Sequence, residues 1–260
     1  MSDKMTNNLS LINIPDSIDT ALENLSDKPT KEIGSFIGDV FYRCLGGFSY
    51  KSDQMRILRK QCLIELESRI KQGISTIPSE KLIKPDFQTL VLAVNNAEPC
   101  LDSEELRERF ANLIARACNI DFKNFIHPSF PTILGQMSPF DVKVLKFYVD
   151  NKPERFITYT YKSSEGEHFD RIPYMFDSYP NAEESPYVSL SISVLMRLGL
   201  LGIHDNAIMH QVKNSPFMAT EFYKKCEQER IEDGKYQSSV INGQVSVITP
   251  FGQAFINSCF

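Results

Sequence analysis

One helix start, fixed in mid-chain, constrains this sequence more than any other feature. In the stretch His127 to Tyr148, Ser138 offers a capping hydroxyl and Pro139 stands at the first helical position, where a missing N–H costs nothing. Asp141 then puts a carboxylate in the first turn, where the helix dipole favours it. Val142, Leu145 and Val149 follow on one face. A second helix start precedes it at His127-Pro128-Ser129, and Gly135 separates the two. Because His127 precedes a proline it is held toward extended backbone, so its ring is expected to bond local backbone rather than a ligand. The stretch reads as a joint between two blocks of different periodicity.

Before the joint the period is helical. Residues 1–29 read as a mobile arm with one short helix. Ile33, Phe36, Ile37, Val40, Phe41, Cys44 and Leu45 then share one helical face, with Gly46-Gly47 as its end. Gly34 and Gly38 form a GxxxG there, but Asp39 and Arg43 interrupt the run, which favours a soluble core helix over a membrane-active one. A second helix is expected from about Ser52 to Gly73, with Met55, Leu58, Cys62, Leu66 and Ile70 inside and Arg56, Arg59, Lys60, Glu65, Glu67 and Arg69 largely outside. Phe87 to Val94 reads as a buried helix. Asp102 as N-cap with Glu105 three residues on resembles a capping box for a helix through Asn119 that buries Leu106, Phe110, Leu113, Ile114 and Ala117. Glu104, Glu105 and Glu108 are assigned to dipole complementation rather than to a metal or acid/base site, because no His stands at matching spacing.

After the joint the pattern changes. Phe156 to Tyr161 alternates and is rich in β-branched and aromatic residues, a strand that a turn at Ser163–Gly166 returns through His168 to Met175. Asp177 to Pro186 is expected to be an exposed loop. Ser189 to Gly199 predicts a helix with Leu190, Val194, Leu195 and Leu198 inward, followed by a short strand at Leu200–Ile203. Cys226 to Asp233 reads as a polar segment. Asn242-Gly243, flanked by apolar runs, is the best hairpin signal in the chain, and Thr249-Pro250 starts a terminal helix. Helix, helix and two-stranded ribbon is the plan of a winged helix. The expected fold is therefore mainly α: an arm (1–29), a helical domain (30–136), and a winged-helix-like α+β domain (137–260) with an insertion at 151–187.

Composition narrows the function. Net charge is −5, and 16 basic against 18 acidic residues up to Gln136, then 12 against 15, leave no basic excess for bulk nucleic-acid affinity. The six cysteines lack metal-ligand spacing and fit reduced thiols in a cytoplasmic protein; no signal-peptide core and no spanning apolar run is seen. There is no Walker loop, GxGxxG, GxSxG or HExxH. His204, Asp205 and His210 cluster in sequence, but no further carboxylate or thiol stands at useful spacing, so no metal or cofactor is expected. On the Ser189–Gly199 helix the outward residues are read as Ser189, Ser191, Ser193 and Met196, with Arg197 the one base. That suits a protein contact better than a DNA groove, and makes Ser189, Ser193, Met196 and Arg197 the candidate partner-binding residues.

Leu106 to Cys118, His127-Pro-Ser-Phe130, Met137-Ser-Pro-Phe-Asp141 with Val144-Leu145, Leu195 to Leu200, and Thr249 to Phe255 together resemble the Abi-alpha family of bacterial and phage-borne proteins. Glu32-Ile-Gly34 and Ile77-Pro78 extend the likeness, so that it runs from about Thr30 to Phe255. The resemblance implies a part in abortive infection, in which an infected cell stops growth before progeny phage are released. It brings no catalytic residues with it, and the expected activity is binding of a phage or host component rather than catalysis. A DNA-binding regulator using Ser189 to Gly199 and the ribbon around Asn242-Gly243 is the alternative, and a membrane-active effector using Ile33 to Leu45 is the third.

Overall fold

The computed structural model describes residues 28–45, 53–153, 155–204 and 210–260. Expectations for the N-terminal arm, the Gly46-Gly47 helix end, Met55, Arg56 and Asp205 lie outside the described residues and side chains. The protein is mainly α-helical with a small antiparallel sheet, and it divides into two compact units. One holds the residues up to Gln136 together with Ala254–Phe260; the other is Met137–Gln253.

The first unit is helical. Helix α1 (Lys28–Leu45) buries Ile33, Ile37, Val40, Phe41 and Leu45, the face its spacing predicts. Helix α2 (Asp53–Ser75) buries Cys62, Leu66, Ile70 and Ile74, yet Leu58 is 46% exposed and Glu67 only 8%. Both departures have one cause. Steps of four residues overshoot a full turn by about 40° each, so over a long helix an i, i+4 series drifts off its face. Leu58 ends up roughly 120° from Ile70, while Glu67 lies within about 20° of Ile74. Gly73 marks the close approach of α2 to helix α4 (Glu104–Ala117), because a Cβ there would stand 2.6 Å from the Ala115 Cβ.

Helix α3 (Phe87–Ala97) is capped by Asp86, which accepts from the Thr89 N–H at 2.8 Å, and it turns Leu90, Ala93 and Val94 inward while Phe87 stays exposed. The N-cap of α4 is Ser103 rather than Asp102. Its Oγ accepts from the Leu106 N–H at 3.2 Å while its O–H donates to Glu105, so one hydroxyl serves both partners. Helix α5 (Phe130–Gly135) follows the His127 start; there the Ser129 N–H donates to His127 Nδ1, the local backbone bond that the sequence implied.

Residues 254–260 join this unit through α4. Arg116 donates to the carbonyl of Asn257 at 2.6 Å, and Asn112 and Arg109 donate to that of Cys259 at 3.0 and 3.4 Å. Three donors on one face of α4 thus satisfy carbonyls that a helix end leaves open, and two are cations placed at the negative dipole terminus. Phe255 adds an edge contact on Phe130 with ring centroids 5.4 Å apart.

The second unit opens with helix α6 (Pro139–Asn151), where the predicted cap is complete: the Asp141 N–H donates to Ser138 Oγ at 3.1 Å, and the Ser138 N–H donates back to Asp141 at 2.7 Å. Strands β1 (Arg155–Lys162) and β2 (His168–Phe176) form the expected hairpin. They are not an insertion set apart from the sheet. All of β1 pairs antiparallel with β5 (Ser238–Ile248), giving the order β2-β1-β5-β3 with β3 at Leu201–Ile203; the two-residue β4 (His210–Gln211) also pairs with β5.

Asn242-Gly243 is therefore mid-strand, opposite Thr158 and Ile157, and not a turn. Gly243 sits in a tight place, since a Cβ would stand 3.0 Å from Val212 and 3.1 Å from Arg155 and would need those side chains to shift by a few tenths of an ångström. No two-stranded ribbon turns at this position. The segment read as polar, Cys226 to Asp233, lies in helix α8 (Glu221–Asp233), capped by Thr220. Cys226 is the one fully buried residue of α8, so apolar periodicity could not reveal it. Helix α9 (Pro250–Cys259) starts as predicted at Thr249, whose Oγ accepts from the Gly252 N–H at 2.8 Å.

A candidate partner-binding face

Helix α7 (Ser185–Arg197) begins four residues before Ser189, because Pro186 in its first turn needs no N–H partner. It buries Val188, Ile192 and Leu195 and packs against β2 and α6. Two of the residues expected to point outward are buried instead. Ser189, a candidate binding residue, is 5% exposed and its Oγ accepts from the Tyr174 N–H at 3.4 Å; Ser191 is buried as well. Leu190, expected inside, is 65% exposed, and Tyr187 is 66% exposed.

The reason is angular. Val188, Ile192 and Leu195 form one 4-3 spaced face, and at about 100° per residue Leu190 falls roughly 140–200° from it. Ser189 instead faces β2, where its hydroxyl meets the Tyr174 N–H. Of the other candidates, Ser193 is half-buried and donates to the Ser189 carbonyl at 2.9 Å, Met196 is half-buried, and Arg197 is exposed. The outward stripe is consequently Tyr187, Leu190, Val194 and Arg197. Sequence reading put Leu190 and Val194 on the inner face because two faces of this helix have acceptable 3-4 spacing, and Tyr187 fell outside the expected helix.

Next to this stripe, Phe140 of α6 meets Tyr187 edge-on at 6.3 Å between centroids, and the Lys143 ammonium stands 5.2 Å from the Phe140 ring. Lys143 also pairs with Glu184 at 3.1 Å, and Tyr179 donates to the same carboxylate at 3.1 Å. Lys143 foremost among these bonds holds the Glu184 carboxyl below its usual range. Lys143, Tyr179 and Glu184 line a shallow groove of about 270 Å³ with Phe147 and Asp150.

A second surface feature lies along β4 and β5. A groove of about 430 Å³ is lined by Arg155, His210 and Lys213, by Gln211, Asn214 and Gln244, and by Val212, Gly243 and Val245, with no carboxylate among the described residues of its lining. Arg155 pairs with Asp177 at 3.1 Å, and Asp177 in turn accepts from the Ser215 hydroxyl.

Other polar clusters are structural. On the face of the sheet that meets α8, Tyr159 donates to Glu227, Arg230 holds the other oxygen at 2.7 Å, and Tyr161 donates to the Cys226 carbonyl at 2.8 Å. Burial, and then the bond to Glu227, pushes the Tyr159 hydroxyl far above its normal value. Burial alone would raise Glu227, but the bonds from Arg230, Tyr159 and Ser239 outweigh it and hold its carboxyl down. Exposed Glu104 pairs with Arg69 at 2.7 Å, and Glu108 pairs with the buried Arg109 at 2.9 Å. Among the described residues no group of three or more His, Cys, Asp or Glu could hold a metal, and no helix is long and apolar enough to cross a membrane.

These observations define a two-unit, mainly α protein with a small antiparallel sheet and an apolar helix face open to solvent. A family model for abortive infection alpha proteins matches residues 58–259, and the chain belongs to that family. Membership suggests a role in abortive infection and so in phage defence. No curated protein and no solved structure matches the chain.

Proposed function

We propose that this protein serves in phage defence within the cytoplasm by binding a phage or host component through the outer face of α7, without catalysing a reaction. The exposure of Tyr187 and Leu190 on one stripe carries this reading. Each side chain leaves most of its apolar surface in water, and large rigid aromatic and aliphatic groups on one face are what a partner's pocket desolvates. The order α6, α7, strand is that of a winged helix, in which α7 would be the helix laid in a DNA groove. Its outer face here offers Tyr, Leu and Val with one Arg, which fits a protein surface.

Phage plating tests the proposal. Cells carrying the gene should reduce plaque counts on at least one phage of a broad panel, and Leu190→Glu should restore them with protein level and melting temperature unchanged. Equal plaque counts for the wild type and Leu190→Glu would remove α7 from the mechanism.

The groove at Arg155, His210 and Lys213, with no carboxylate among its described lining residues, favours a second reading, a nucleic-acid contact. Two or three phosphate contacts there would give duplex binding a log–log salt slope of about −2 to −3. Binding that ignores salt, or no binding at low salt, excludes it.

A further inference from the structure

We infer that the α7 stripe pairs with the same stripe of a second copy of this chain, antiparallel, about a two-fold axis at Leu190. This deepens the reading of α7 as a binding face and rests on it. Glu183, Tyr187, Leu190, Val194 and Arg197 recur at spacings of 4, 3, 4 and 3, the seam pattern by which one helix packs along another. Glu183, in the 3-10 turn that leads into α7, and Arg197 at its end are both exposed and stand seven residues on either side of Leu190.

Charge placement selects the arrangement. A two-fold axis through Leu190 sets residue 190+k of one copy against 190−k of the other, so Arg197 meets Glu183 at both ends of the seam. Tyr187 then packs across the Ser193–Val194 turn, with Leu190 on Leu190 at the centre. A parallel pair would set Glu183 on Glu183 and Arg197 on Arg197, which like-charge repulsion disfavours. The pairing is isologous, as a closed dimer requires. One face of a single short helix, with Phe140 at its flank, falls below the roughly 800 Å² per partner of a stable complex. Association is therefore weak and governed by concentration, with a dissociation constant in the micromolar range or above.

Sedimentation velocity on the full chain, across a concentration series from about 1 to several hundred micromolar, tests this at low and at high salt. The wild type should pass from monomer to dimer, and Leu190→Glu should stay monomeric. Arg197→Glu alone and Glu183→Arg alone should each weaken pairing by about 10-fold, and the double exchange should return it to within a few-fold of wild type. A wild type that stays monomeric throughout overturns the inference, as does a double exchange no stronger than the singles. Plating separates this from the reading beneath it. If the wild type is always monomeric but Leu190→Glu loses protection, α7 binds some other partner; if the wild type dimerises and Leu190→Glu still protects, pairing stands and the defence role of the face falls.

Discussion

Helices α4 and α7 are of similar length, yet they invert the usual placement of polarity in different ways. Helix α4 buries Arg107 and Arg109 and shows carboxylates to water; α7 buries serines and shows Tyr187 and Leu190. On α4 each buried arginine has internal work. Arg107 donates to the Leu101 carbonyl and pairs with Glu65 at 2.7 Å, tying the start of its own helix to α2, and Arg109 helps close the end of α9. On α7 the serines make room for β2, while the exposed apolar side chains leave most of their surface without contact inside the chain. A buried polar group with a named acceptor explains itself through the fold, whereas an apolar group left in water points to something outside it.

If α4's arginines are structural, removing one should cost most. Arg107→Ala strands the buried Leu101 carbonyl and unpairs Glu65, and should lower unfolding free energy by about 3 kcal/mol. Urea denaturation at unchanged slope would show it as a lower midpoint. If the α7 serines are as tightly placed, Ser189→Leu should cost about 2 kcal/mol from overpacking against β2 and loss of the Tyr174 bond. A neutral result would put Ser189 back on the surface, where sequence reading had placed it.

What could be read from sequence followed the strength of local signals. The Ser138–Asp141 cap is complete because its residues meet their partners within one turn, and the β1–β2 hairpin is legible because alternation and turn lie side by side. Asn242-Gly243 misled because a glycine in a tight mid-strand position looks the same as one that makes a turn. Helix α8 was hidden because its interior contacts are made by Tyr223, Glu227 and Arg230 rather than by aliphatic residues. The binding face was half legible: Arg197 lies on it, but Ser189 and Leu190 exchange sides, a decision made by the bulk that β2 leaves available.

One buried oxygen of Glu67, like the Nε atoms of Arg107 and Arg109, has no hydrogen-bond partner among the described residues. Burial pushes its carboxyl up from 4.5 to about 7, with Lys71 offsetting part of the rise. The folded state therefore holds the proton more tightly than the unfolded one, and stability falls as pH rises from about 4.5 through 7. Glu67→Gln should have little effect below that window and should stabilise above pH 7 by on the order of 1–2 kcal/mol. Paired melts of wild type and variant at pH 4.5 and 8 check the sign; a variant destabilised equally at both would mean that the carboxylate is ionised and bonded.

The smallest expected effect on stability is the sharpest test of the contrast. Glutamate and leucine are similar helix formers, and Leu190 faces water, so Leu190→Glu should shift stability by no more than about 0.5 kcal/mol. The equivalent change on α4, at Leu113, which is fully buried, should unfold the protein. A variant at 190 that melts with the wild type but fails in plating separates binding from folding at one side chain. One that melts several degrees lower would show instead that α7's outer face is held inside the structure in solution, and the asymmetry between the two helices would disappear.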